Sequence, residues 1–143
     1  MNTGLEFAVK MQMAYSAKCK PICQEMGLPQ TAFDILMFFS NNPEYQTARD
    51  IVEIRKIKAN LVSVNVEKLV REGYLERRAV EGDRRKMKLL CTDKAQPVIQ
   101  RGKKAQEDFF EELFEGIGAG TKERFFEALE LIGINLDKIL GGN

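Results

Sequence analysis

The sequence has no histidine and no tryptophan, only three cysteines and four prolines, and no apolar run near the roughly 18 residues that cross a bilayer. Each shortage excludes something. Without imidazole, the usual ligand of transition-metal sites is missing, and so is the base that most often serves a nucleophilic serine or cysteine. Neither a P-loop nor a nucleophile elbow is present, so the chain reads as a non-enzyme with no metal and no other cofactor. Cys19, Cys23 and Cys91 are too few, and odd in number, for a disulfide framework; they fit a reducing compartment. Residues 1–10 lack the charged start, apolar block and cleavage site of a secretory signal. A cytoplasmic protein without membrane contact is the expectation.

What is present is a charge asymmetry. The formal net charge of the 143 residues is +1, but residues 47–104 carry 16 lysines and arginines against 8 acidic residues, and the remainder carry 6 against 13. A basic middle between acidic flanks is the footprint of a surface that neutralises nucleic-acid phosphates. A solvated helix face would give the same count, so the charge must be read together with the elements that bear it.

Apolar spacing predicts a helix from Leu5 to about Cys19, stopping or kinking before Pro21, and a second from Thr31 until the Asn41-Asn42-Pro43 turn. Thr47 is the expected N-cap of a short third helix, buried through Ala48, Ile51, Val52 and Ile54. A fourth runs from about Lys58 to Glu72 on a stripe of Val62, Val66, Leu69 and Val70, with Gly73 as its C-cap residue. The period then shortens. Tyr74–Val80 and Lys86–Cys91 read as a β-hairpin around Glu81-Gly82-Asp83. Thr92 or Asp93 should cap a long helix to about Ile117, with Pro97 kinking its first turn, and Thr121 should cap a last helix bearing Phe125, Leu129, Ile132, Leu136 and Ile139. The fold class is therefore mostly α with a small β-hairpin.

Two short helices followed by a hairpin with arginines at its tip follow the order of a winged helix-turn-helix. A helix fits the major groove, where base edges are distinct, and an arginine-bearing hairpin can reach the narrow, negative minor groove beside it. Opposite its apolar stripe the fourth helix carries Asn60, Ser63, Val64 and Glu67: Asn suits adenine, Ser either kind of base, and Val a thymine methyl. Lys56, Lys58 and Lys68 are placed for phosphates, and Arg84, Arg85 and Lys86 make the wing basic. Gly116-x-Gly-x-Gly120 follows a helix rather than a strand and reads as a hinge, and Glu107, Glu111 and Glu115 read as a solvated acidic face. Phe109, Phe110, Leu113, Phe114, Phe125 and Phe126, with the final helix's aliphatic residues, exceed what a small winged domain can cover, so part should be buried by a second chain.

The segment Leu61–Arg77, with Gly73-Tyr74-Leu75-Glu76-Arg77, then Asp83-Arg84-Arg85 and Leu89-Leu90-Cys91-Thr92, resembles the multiple antibiotic resistance regulator (MarR) family. It departs from that pattern at Cys91, where Leu is usual, and at Val64, where a polar or basic residue is common. The resemblance implies one domain over 1–143, with 29–104 the winged DNA-binding region and 1–28 and 105–143 dimerisation helices. It implies a homodimer on double-stranded DNA acting as a transcriptional regulator, with Asp83 steadying the wing and Arg85 as the minor-groove arginine. The effector pocket it implies would draw on Met11, Tyr15, Phe33, Met37 and Phe38, for a small aromatic or acyl compound. Some relatives sense peroxides near the position of Cys19 and Cys23, which here read more simply as small residues packing in a helix end. A winged helix reused as a protein-interaction module is the competing class.

Overall fold

The computed structural model describes residues 3–141, Arg84 through its backbone only. Among them the elements are α1 (Thr3–Met26), α2 (Gln30–Asn41), α3 (Ala48–Arg55), α4 (Ala59–Arg71), β1 (Leu75–Val80), β2 (Asp83–Cys91), a 3-10 turn (Asp93–Ala95), α5 (Gln96–Leu113) and α6 (Ala119–Ile139). The mostly helical class with one antiparallel hairpin is as the sequence predicts. The chain forms two compact units that divide between Glu107 and Asp108.

The centre of the first unit is α2. Phe33, Ile35, Leu36, Met37, Phe38 and Phe39 are all buried, on every side of the helix, which is the signature of an element with partners all round. Cys19 and Ile22 of α1, Ile51 of α3, Val62, Val66 and Leu69 of α4, Leu75 and Leu89 of the hairpin, and Val98 and Ile99 of α5 complete that core. Gly102 on α5 allows its closest approach: a Cβ there would lie 2.4 Å from the Met37 sulfur and 3.1 Å from the Phe33 ring.

Several local expectations are corrected. α1 does not stop before Pro21 but runs through it to Met26. A proline inside a helix costs about 3 kcal/mol; Cys19 and Ile22 in the core, with Cys23 and Met26 packed against it, offset that cost. The helix ends instead at Gly27 (φ 65°), where Leu28 N–H donates to Cys23 O at 2.9 Å. In α3 only Ile51 is fully buried and Val52 half-buried; Ala48 and Ile54 face solvent because an eight-residue helix presents one narrow stripe. Thr92 does not cap α5 with its side chain: its hydroxyl donates to Gly73 O, binding the end of β2 to the end of α4. Pro97 sits in the first turn of α5, where a missing N–H removes no helical bond. That helix ends at Leu113, ahead of Ile117, and the N-cap of α6 is Gly118 rather than Thr121.

The second unit has a small aromatic cluster, with Phe114 5.6 Å from Phe125 and 5.4 Å from Phe126 between ring centroids. No residue of α6 is fully buried, and Leu129, Ile132, Leu136 and Ile139 are exposed.

Candidate nucleic-acid interface

Thr47 starts α3 through a reciprocal capping box. Asp50 N–H donates to Thr47 Oγ1 at 3.1 Å, and Thr47 N–H and Gln46 N–H each donate to Asp50 Oδ2 at 3.0 Å. Desolvation pushes the Asp50 carboxyl up, but the hydrogen bonds from Thr47 and Gln46 together outweigh it and hold the group below its ordinary range. The turn into α4 passes through Lys56 at φ 56°, ψ 35°, the one non-glycine among the described residues in the left-handed region. Two residues later Lys58 occupies the N-cap of α4. A tight turn of this kind sets α3 and α4 as a pair, and it puts Lys56 and Lys58, both exposed, at the start of the second helix.

On α4, Asn60, Val64, Glu67 and Arg71 recur at steps of four, three and four and are exposed, forming one outward ridge; Ser63 is exposed beside it. Asn60, Ser63 and Val64 thus lie on the exposed side of α4, opposite its buried stripe. Asn65 is buried instead, its Nδ2 donating back to Leu61 O at 2.8 Å. Lys68, one turn after Val64, is half-buried and paired with Glu72 at 3.2 Å. Glu67 is engaged as well: Arg77 of β1 donates to its carboxylate at 2.9 Å, and this hydrogen bond, then the guanidinium charge, holds the acid below its usual range. Sequence spacing gives no sign of this bond, because the two residues sit on different elements with no shared period.

The C-terminal end of α4 joins the wing directly. Gly73 adopts φ 85°, its N–H donates to Val70 O and Tyr74 N–H donates to Leu69 O, the paired bonds that close a helix and turn the chain outward. The base of the hairpin is fixed by Leu89 N–H donating to Gln46 O at 2.7 Å. Pairing runs from Leu75↔Cys91 to Ala79↔Met87, then shifts so that Val80 faces Asp83. Arg84, Arg85 and Lys86 fall inside this shift, opposite no residue of β1, so the bulge puts three consecutive basic residues at the tip. The Asp83 carboxylate accepts from Arg85 N–H at 2.9 Å and fixes the backbone of that tip. Arg85 and Lys86 are exposed, whereas the side chain of Arg84 lies outside what the structure describes.

A cavity of about 450 Å³ opens between α3, α4 and the hairpin, lined by Val52, Ser63, Val66, Arg77 and Met87 among others. The residues expected to line an effector pocket lie elsewhere. Phe33, Met37 and Phe38 are buried in the core, Met11 and Tyr15 are half-buried on α1, and Gln106 of α5 donates to the Tyr15 hydroxyl at 2.9 Å. Burial pushes that hydroxyl up to about 12. Cys19 is fully buried and Cys23 half-buried; desolvation raises both thiols, Cys23 to about 11, the reverse of the depressed value a peroxide-sensing thiolate needs. Cys91, half-buried on β2, is raised by the same cause.

The model of the MarR family matches residues 26–86, which hold α2, α3, α4 and most of the hairpin. Among solved structures, a MarR transcriptional regulator from Methanosarcina mazei Go1 is similar at 23% identity and a TM-score of 0.75, over 96% of both chains. A MarR protein from Peptoclostridium difficile is similar at 19% identity and 0.82, over 96% of this chain and 89% of that one. A putative MarR family transcriptional regulator from Listeria monocytogenes, complexed with a 26mer DNA, is similar at 18% identity and 0.84, over 96% and 93%. These likenesses carry the fold. Among curated proteins none matches.

Proposed function

We propose that the chain is a member of the MarR family, whose model matches residues 26–86, and that it is a sequence-specific DNA-binding transcriptional regulator that works as a homodimer. The observation that carries this is the wing: a register shift presents Arg85 and Lys86 at the tip, and the Asp83 carboxylate holds that tip from within. Beside it stands the outward ridge of α4 with Asn60 and Val64, and Ser63 next to them. In this reading α4 lies in the major groove, Arg85 enters the adjoining minor groove, and Lys56 and Lys58 meet phosphates. Lys68, paired with Glu72, takes no part in base reading.

Dimerisation is supported by exposed apolar side chains in each unit. Leu5, Val9 and Met13 on α1 and Leu129, Ile132, Leu136 and Ile139 on α6 are all exposed. Surfaces of this extent mark interfaces, and a stable obligate dimer buries about 2,000 Å² or more. Two-fold symmetry then sets the two recognition helices about 34 to 36 Å apart and calls for a pseudo-palindromic operator, at which the bound dimer would repress transcription. Response to a small effector would act through its preference for one spacing of those helices, worth about 1 to 3 kcal/mol.

The test is selection of bound sequences from random duplexes with the purified protein at two salt concentrations. A recovered pseudo-palindrome supports the reading. Weak, steeply salt-dependent binding without a consensus would contradict it and favour the basic wing as a contact for an acidic protein.

A further inference from the structure

The apolar residues of α4 divide sharply. Val62, Val66 and Leu69 are buried, whereas Leu61 is 47% and Val64 67% exposed. Val64 serves neither the core nor the helix, since a β-branched residue is a weaker helix former than the polar residues common on such a face. It lies one turn beyond Asn60 on the same ridge, with Leu61 alongside.

The groups that would read the other base pairs are missing from this stretch. Guanine is read by bidentate arginine or lysine, but Lys56 and Lys58 precede α4, Lys68 is half-buried and paired with Glu72, and Arg71 lies about 16 Å further along the axis than Asn60. Cytosine is read by a carboxylate accepting from its amino group, but the first two turns of α4, residues 59–66, carry no carboxylate, and Glu67 beyond them is held toward the wing by Arg77. What remains is the Asn60 carboxamide, the Ser63 hydroxyl, which accepts either kind of base, and two aliphatic side chains.

We infer that the base pairs beneath the first two turns of α4 are A·T pairs, discriminated by the thymine C5-methyl group against Val64 and Leu61 and by Asn60 bonding to adenine N6 and N7. This specificity rests on the DNA reading above. Cations before the helix and on the wing attract the duplex, and the apolar patch between them then selects thymine by contact.

The experiment takes the duplex recovered by selection and replaces its half-site thymines one at a time with deoxyuridine, which keeps base pairing and removes only the methyl. Loss of one buried methyl should weaken binding about fourfold. At the thymine facing Val64 the effect should diminish in the Val64→Ala protein, whose folding is checked by circular dichroism and melting temperature. Guanine or cytosine fixed at these positions, no response to uracil, or a response undiminished in Val64→Ala overturns the inference. Absence of any consensus overturns the DNA reading with it, so the two failures are distinguishable.

Discussion

Arg77 on β1 donates to the carboxylate of Glu67 on α4 across 2.9 Å, so the first strand of the wing is tied to the outward ridge of the helix beside it. Both side chains are largely exposed, and exposed pairs contribute little to stability. The bond instead sets where the wing stands relative to α4. Arg77→Ala should leave the melting temperature almost unchanged yet weaken binding to the selected duplex severalfold more than binding to a scrambled one, by fluorescence anisotropy. An equal loss on both duplexes would reduce Arg77 to one more cation.

The wing itself separates contact from support. Arg85→Ala should remove most of the specific affinity, because the arginine is the group proposed to enter the minor groove. Asp83→Ala keeps every cation and deletes only the acceptor of the Arg85 N–H bond, so a smaller loss is expected with no reduction in salt dependence. If Asp83→Ala matched Arg85→Ala in both respects, Asp83 would have a further role.

Lys56 carries a conformational cost that its chemistry need not share. A non-glycine residue in the left-handed region costs about 1 kcal/mol or more, which glycine largely avoids. Lys56→Gly should therefore match or exceed the parent in urea unfolding, whereas Lys56→Ala should not. Both variants should lower the salt-dependence slope of DNA binding by about one phosphate contact. An unchanged slope would remove Lys56 from the interface.

Gly102 measures how tightly α5 and α2 meet. An added Cβ would fall 2.4 Å from the Met37 sulfur and 2.9 Å from its methyl, and Met37 is buried with little room to move. Overpacking costs typically about 1 to 3 kcal/mol, only partly offset by the better helix propensity of alanine. Gly102→Ala should thus destabilise by about 1 kcal/mol in urea melts. The loss should shrink in a Met37→Ala background, which vacates the space.

Desolvation raises the Cys23 thiol from 9.0 to about 11 and the Tyr15 hydroxyl from 10.0 to about 12. Groups raised in the folded state contribute stability that is complete below their unfolded values and lost as pH climbs through the folded ones. Thermal stability should therefore hold to about pH 9 and fall between pH 9 and 12. Near neutral pH both Cys19 and Cys23 are thiols, so mild peroxide should leave DNA binding intact. Rapid loss of binding, prevented by Cys23→Ser, would restore the redox reading.

Much of the fold was legible because strong local signals agreed with the packing. The Val62, Val66 and Leu69 stripe, Gly73 as a left-handed stop and the Thr47 cap each fix an element by short-range physics. The misreadings arose where tertiary packing outweighed local preference, as at Pro21, where core residues on both sides carry the helix through. Thr92 was misread because its hydroxyl serves Gly73, 19 residues away, instead of its own helix. The exposed residues of α4 were legible as the complement of its buried stripe. The Glu67–Arg77 bond and the register shift of the wing were not, since both depend on how two elements meet.

The central claim, a two-fold dimer with α4 in the major groove and Arg85 in the minor groove, is tested most directly by hydroxyl-radical footprinting on the selected duplex. The account predicts protection symmetric about one centre, with the two core segments about 10 base pairs apart and outer minor-groove protection that disappears for Arg85→Ala. A single unsymmetric protected segment, or outer protection that survives Arg85→Ala, would contradict it.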